Sequence, residues 1–146
     1  MRWALIGLLL LVGCTQAPPA RDAGEAPVES WESVDVSRLN ARIDAAVLDG
    51  ADWPSSPLLT TLELLGGDVG VGLLTIEERK NRGEGADTTI VVMLRDRLAN
   101  DSIRGAWHRV TLHRLADSTW RLHEVRRAFR CWRGHHLESY SSRWCP

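Results

Sequence analysis

The chain has 146 residues, and its 18 basic and 19 acidic side chains leave a formal charge of −1. This length suits one domain. An average charged fraction and a mean hydropathy of −0.20 argue against a polytopic membrane protein, a collagen-like repeat and a fully disordered chain, and the near-neutral total argues against a protein that coats nucleic acid.

The first thirteen residues have the organisation of an export signal. Met1 and Arg2 give a positive start, and residues 3–13 form an uncharged, Leu-rich stretch of eleven residues. A membrane-spanning helix needs about 20 apolar residues, whereas eleven is typical of the apolar core of a signal peptide. We therefore interpret residues 1–13 as a signal peptide that is removed, and exclude them from reasoning about the fold.

The apolar core ends in Leu11-Val12-Gly13-Cys14, which resembles the lipobox of bacterial lipoproteins at all four positions. The resemblance implies that a signal peptidase cuts before Cys14, that the Cys14 thiol carries a diacylglycerol and that the new amine is acylated. Two or three such chains, at ~0.8 kcal/mol per buried methylene, form a durable anchor. The next residue is Thr15 rather than Asp, which in this family implies the outer membrane, facing the periplasm. The alternative is an ordinary signal followed by an incidental cysteine.

Residues 14–30 are interpreted as the lipidated cysteine and a tether. Residues 15–30 contain three prolines, four alanines and three acidic residues, and Val28 is their only large aliphatic residue. Such a composition cannot build a core, and sixteen residues extend to at most about 50 Å. The folded domain is therefore assigned to residues 31–146.

Two helices are predicted at the start of this domain. The first has apolar residues at helical spacing, at Val36, Leu39, Ile43 and Val47. Ser33 or Asp35 can cap it, and Gly50 follows its last turn. Ser56 and Pro57 are typical of an N-cap and a first helical residue, so they predict a second, short helix that ends before Gly66.

The remaining pattern predicts four strands in two hairpins. The first hairpin joins residues 69–76 to residues 88–94, and the second joins residues 106–115 to residues 120–129. Two helices followed by a four-stranded antiparallel sheet give an α+β domain. This order loosely resembles the cystatin-like or NTF2-like group, in which a curved sheet wraps a helix, and the likeness implies no function.

Two cysteines remain once Cys14 is assigned to lipid. In an oxidising compartment Cys131 and Cys145 are expected to form a disulfide, which would close a loop of about 15 residues and stabilise an aliphatic-poor C-terminal segment by roughly 3 kcal/mol. Two alternatives use the same thiols: a zinc site with His135 and His136, or a nucleophilic cysteine beside a histidine.

The total charge conceals two oppositely charged parts. Residues 15–102 carry eight basic and sixteen acidic side chains, a sum of −8, and residues 103–146 carry nine arginines and three acidic side chains, a sum of +6. Four tryptophans lie among these arginines, and guanidinium groups stack on indoles and bind phosphate. The candidate anion-binding residues are Arg126, Arg127, Arg130 and Arg133. The alternative is that the acidic and basic parts pair with each other.

The sequence contains no Gly-x-Ser-x-Gly, Walker-type or His-Glu-x-x-His motif, and we assign no catalytic residue, cofactor or metal. The C-terminal segment resembles small exported bacterial proteins without a known activity. We therefore expect a non-catalytic envelope lipoprotein, bound to a membrane through its lipid, whose partner is an anionic envelope component and not nucleic acid. The alternative is a small exported hydrolase that uses histidines of the C-terminal third, with or without zinc. These are His108, His113, His123, His135 and His136.

Overall fold

The computed structural model describes residues 27–66 and 70–146. The predicted signal peptide, Cys14 and most of the predicted tether lie outside these residues. The described elements, in chain order, are β1 (Glu32–Val34), α1 (Ser37–Leu48), a 3₁₀ turn (Trp53–Ser55), α2 (Pro57–Leu65), β2 (Val71–Lys80), β3 (Thr88–Leu98), β4 (Ile103–Arg114) and β5 (Trp120–Cys131).

The strands form one antiparallel sheet in the order β1-β5-β4-β3-β2. The α+β class is confirmed, but the sheet has five strands and not four, and β1 precedes both helices. This strand has only three residues, too few for a periodic pattern, and forms through pairing with β5, as in the pair Val34 and Val125. The two hairpins are present, and their strands extend beyond the predicted ends, β2 to Lys80 and β3 to Leu98.

Local sequence accounts for the ends of both helices. The N-cap position of α1 is held by Val36 without a side-chain cap bond, and not by Ser33 or Asp35 as predicted. Asp35, one residue earlier, accepts hydrogen bonds from the backbone N–H and the hydroxyl of Ser37, at 3.0 and 2.7 Å. Gly50 follows α1 with a φ of 72°, a conformation that glycine adopts readily. At α2, the hydroxyl oxygen of Ser56 accepts a bond from Leu59 N–H at 3.4 Å, and Pro57 is the first helical residue.

A core cluster lies between the helices and one face of the sheet. Ile43 of α1 and Leu64 of α2 pack against Val91, Val110 and Leu122. Asn40 fixes α1 on the sheet, because its side-chain amide donates to the Leu122 carbonyl and its oxygen accepts from Leu122 N–H, both at 3.0 Å. Packing in this core therefore sets where α1 lies on β5 and α2 on β3.

The opposite face of the sheet is covered by the two ends of the described chain. Trp107 packs there between Trp31 and Tyr140, with ring centroids 5.1 and 5.8 Å apart. Val92 and Ala128 complete this second cluster. Both faces of the sheet are thus covered around the middle of β3, which explains why Val91, Val92 and Met93 are all buried although successive strand residues face opposite sides.

The two chain ends also pair with each other. Tyr140 N–H donates to the Pro27 carbonyl at 2.9 Å, and Glu29 N–H donates to the Tyr140 carbonyl at 2.8 Å. Ser141 exchanges two backbone bonds with Phe129 of β5, at 2.8 and 2.9 Å. We call residues 27–30 and 140–142 the terminal clasp. Residues 27–30, which composition assigned to the tether, are therefore packed on the domain.

Gly105 on β4 lies against Tyr140 of the terminal clasp. A Cβ atom at this position would lie 2.8 Å from the Tyr140 hydroxyl oxygen and 3.0 Å from the backbone carbonyl oxygen of Arg95. We expect Gly105→Ala to lower the free energy of unfolding by about 1–3 kcal/mol, because the backbone must shift, as measured by urea denaturation. Gly83→Ala is the control, since its Cβ would meet nothing within 4 Å; an equal loss in both variants would contradict the contact.

Candidate functional site

The C-terminal segment is closed by the Cys131–Cys145 disulfide, whose Cα atoms are 5.4 Å apart. This confirms the predicted pair. The bond uses both thiols, so neither of the alternatives, zinc ligation or a nucleophilic thiol, applies to these cysteines in this structure. Across residues 27–66 and 70–146, no three His, Cys, Asp or Glu side chains are grouped so as to hold a metal ion.

Hydrogen bonds and an ion pair near the disulfide hold the closed segment, residues 132–144, on β5. Cys131 N–H donates to the His136 carbonyl at 3.1 Å. The Arg130 side chain, only 16% exposed, donates to the Leu137 carbonyl at 2.7 Å and forms an ion pair with Glu138 at 2.8 Å. Arg130, predicted as an anion-binding residue, therefore fixes the segment that follows it.

The other three predicted arginines lie in different surroundings. Arg126 is exposed and pairs with Glu124 at 2.8 Å. Arg127 forms a two-pronged bond with Glu32 of β1, at 2.8 and 3.0 Å, and these hydrogen bonds lower the pKa of Glu32. Arg133 is exposed, and within the described residues it forms no ion pair or hydrogen bond. The four arginines are not brought together, since neighbours on a strand face opposite sides.

Long-range ion pairs join the acidic and basic parts of the chain. Arg127 binds Glu32, 95 positions away, and Arg121 binds Asp44 of α1 at 3.0 Å. These contacts match the alternative in which the two parts pair internally. Both pairs are partly exposed, and such pairs contribute at most about 1 kcal/mol each. The role of the four arginines in anion binding stays a prediction.

Stacking of arginine on aromatic rings occurs where the sequence interleaves them. Arg104 lies 5.3 Å from the Trp132 ring centroid, and Arg127 lies 5.6 Å from that of Trp144. Trp144 also stacks on Phe129, with centroids 4.7 Å apart. These contacts hold both indoles beside the disulfide, yet Trp132 and Trp144 stay 45% and 58% exposed.

The five histidines lie in three separate places. His113 and His123 are exposed and stack with centroids 4.4 Å apart. His135 and His136 are in the closed segment, where His135 Nε2 lies 3.0 Å from the Trp144 carbonyl and His136 pairs with Glu29 at 3.0 Å. The fifth, His108, is inside the domain. The C-terminal third therefore does not converge on a single histidine cluster.

His108 is 6% exposed, and its Nδ1 has no hydrogen-bond partner among the described residues. Burial lowers its pKa to about 4, assisted by the positive charges of Arg95 and Arg127 on the neighbouring strands. The imidazole is therefore neutral at pH 7. Arg95 in turn donates to the Gly66 carbonyl at the end of α2, at 2.7 Å.

A cleft of about 370 Å³ lies between the start of α2 and the β2–β3 turn, with Ser56, Lys80 and Trp120 in its lining. Lys80 is paired with Glu78 at 3.5 Å. No His or Cys is among the described residues that line this cleft, so it does not supply the chemistry of the hydrolase alternative.

Five arginine, tryptophan and leucine side chains in the segment closed by the disulfide are exposed; one of them, Arg133, is a predicted anion-binding residue, and the other four are not among the residues predicted for that site. We call these five the tip surface: Trp132, Arg133, Leu137, Arg143 and Trp144. The sequence signal for it was the position of one tryptophan directly after Cys131 and another directly before Cys145. A disulfide keeps the Cα atoms of such neighbours within about 13 Å of each other, whatever the fold of the loop between them.

We find no protein-family model, no curated protein and no solved structure that matches the chain. Of the helices in the described residues, neither α1 nor α2 has the length and apolar character needed to cross a membrane.

Proposed function

We propose that this protein is a lipid-anchored component of a bacterial cell envelope, held in the outer membrane through Cys14 and facing the periplasm. The observation that supports it best is the Cys131–Cys145 disulfide, because disulfides persist in exported proteins and are rare in the cytosol. The lipobox-like Leu11-Val12-Gly13-Cys14 is the independent sequence observation, and the two point to the same compartment.

Within the envelope, the protein has a non-catalytic binding role toward an anionic component. Support comes from Arg133, which is exposed and has no ion pair or hydrogen bond with residues 27–66 or 70–146, and from the two half-exposed tryptophans of the same segment. Arginine and tryptophan together suit a partner that offers phosphate or carboxylate groups. We favour this role over a hydrolase because the histidines are divided among three places and the most buried one is neutral and enclosed.

The α+β domain supports a likeness to the cystatin-like or NTF2-like group at the level of architecture. In this arrangement α1 lies across β5, held by the bonds between Asn40 and Leu122. The additional strand β1 lies at the sheet edge, beside β5. No activity follows from this likeness.

Metabolic labelling with a fatty acid tests the anchor. We expect the native chain to take up label and Cys14→Ser to take up none, because the thiol is the only site of diacylglycerol attachment in lipoproteins of this type. The paired variant Cys131→Ser/Cys145→Ser is the matched control and keeps the label. Persistent labelling of Cys14→Ser would refute the assignment of the anchor.

A further inference from the structure

The tip surface exposes an unusual set of apolar groups: Trp132, Leu137 and Trp144 are 45%, 43% and 58% exposed. The Cα atoms of Cys131 and Cys145 are 5.4 Å apart. Each tryptophan is next to one of these cysteines, so the two tryptophan Cα atoms are at most about 13 Å apart. Clustered indoles, with an apolar body and one polar N–H, are typical of membrane–water interfaces.

Positive charge accompanies these apolar groups. Arg133 and Arg143 are exposed within the closed segment. Glu138 is the only acidic residue among positions 131–146, and it is paired with Arg130 at 2.8 Å. Glu29 of the terminal clasp is a second carboxylate near the closed segment. It accepts a hydrogen bond from Ser139 and pairs with His136 at 3.0 Å, and the Ser139 bond, His136 and the charge of Arg143 all lower its pKa. Both carboxylates thus have partners within the domain, and the tip surface presents arginine and tryptophan, which suit a surface of phosphate headgroups.

The chain leaves the described domain beside this surface. The Pro27 carbonyl accepts a hydrogen bond from Tyr140 N–H at 2.9 Å, only three positions from Leu137. Pro27 is thirteen positions after Cys14, and the chain between them spans at most about 45 Å. The β2–β3 turn lies at the other end of the sheet, as shown by the pairs Thr88 with His113 and Asp96 with Gly105. An anchor on Cys14 is therefore attached at the tip end of the domain.

We propose that the tip surface lies against the same bilayer that holds the lipid, with Trp132 and Trp144 in the interface and Arg133 and Arg143 on lipid phosphates. This inference rests on the anchor proposed above. A short tether keeps the tip surface at a high effective concentration near the bilayer, so contacts that are weak alone are occupied.

The first test measures partition into vesicles of phosphatidylglycerol and phosphatidylcholine. Every chain carries Cys14→Ser, so all lack lipid and share the same N-terminal segment. We expect Arg133→Gln/Arg143→Gln to weaken partition about 25-fold, since each arginine near an anionic surface contributes about fivefold. Lys80→Gln/Arg82→Gln is the matched control, because it removes the same charge from the β2–β3 turn; a loss equal to that of the tip variant would overturn the proposal.

The second test uses the lipidated chain in vesicles that contain brominated phospholipid, which quenches nearby tryptophan. We expect quenching in the parent and its loss in Trp132→Phe/Trp144→Phe, which keeps an aromatic ring at both positions. Unchanged quenching in that variant would overturn the proposal. The proposal would also be overturned if the Cys14→Ser chain bound heparin but did not bind the vesicles.

The two tests separate this inference from the anchor. A chain that takes up fatty acid but shows no quenching retains the anchor and refutes the tip contact. A chain that takes up no fatty acid refutes the anchor, whereas the Cys14→Ser comparison still measures the tip surface.

Discussion

Reduction of the Cys131–Cys145 disulfide is expected to lower the free energy of unfolding by roughly 3 kcal/mol. The bond joins positions 14 apart, and the chain-entropy model gives this magnitude for a closed loop of about 15 residues. The loop between them has few aliphatic side chains to replace the crosslink by burial. Urea denaturation with and without a reducing agent, followed by far-UV circular dichroism, measures the difference.

The variant Cys131→Ser/Cys145→Ser provides the control for that experiment. Its free energy of unfolding should equal that of the reduced native chain and should not change when the reducing agent is added. If the native chain were equally stable with and without reductant, the disulfide would not contribute to folding. Free-thiol titration of the denatured, unreduced protein checks that the bond is present at the start.

Stability is also expected to fall on mild acidification because of His108. Its pKa is lowered from 6.5 to about 4 in the folded state, so protonation favours the unfolded chain. This contribution is complete above about pH 6.5 and is lost as the pH falls toward 4, a total of roughly 3 kcal/mol at 1.36 kcal/mol per pH unit. Between pH 6.5 and 5 the loss is about 2 kcal/mol.

Urea denaturation at several pH values between about 7 and 5 tests this prediction, because the contribution of His108 to the free energy of unfolding changes across that range. The lower limit of about pH 5 avoids protonation of carboxylates such as Glu32, whose pKa is lowered by the bonds from Arg127. Protonation of these groups destabilises the fold only in stronger acid. His108→Leu should lack the slope, and the exposed His113→Gln should retain it. A slope that survives in His108→Leu would assign the acid sensitivity to another group.

Features encoded by neighbouring residues were predictable from the sequence. The cap by Ser56 and Pro57, the turn by Gly50 and the disulfide all depend on local chemistry or on compartment. Strand β1 did not follow from such rules, because three residues form a strand only when the edge of β5 is beside them. The charged end of β2, from Glu77 to Lys80, also lacked a strand pattern, since an edge strand exposes much of its length to water.

The arginines show why the candidate site was harder to predict than the fold. Arg126 and Arg127 are consecutive, yet one pairs within its own strand and the other reaches Glu32, 95 positions away. Only the register between β1 and β5 reveals that partner. The exposure of Trp144 was equally hard to predict, because it depends on where the closed segment lies. That position is set by the bonds of Arg130 to Leu137 and Glu138 and of Cys131 N–H to the His136 carbonyl.

The terminal clasp has a mechanical consequence for a tethered protein. Under the proposed anchor, a pull on the chain enters the domain at Pro27, whose carbonyl is bonded to Tyr140; the adjoining Ser141 is bonded to Phe129 of β5. The disulfide links Cys131, two residues further along β5, to Cys145, so the C-terminal strand of the clasp cannot peel away freely. Such a pull therefore loads the terminal clasp, whose C-terminal strand is crosslinked to β5, as well as the chain that continues into β1.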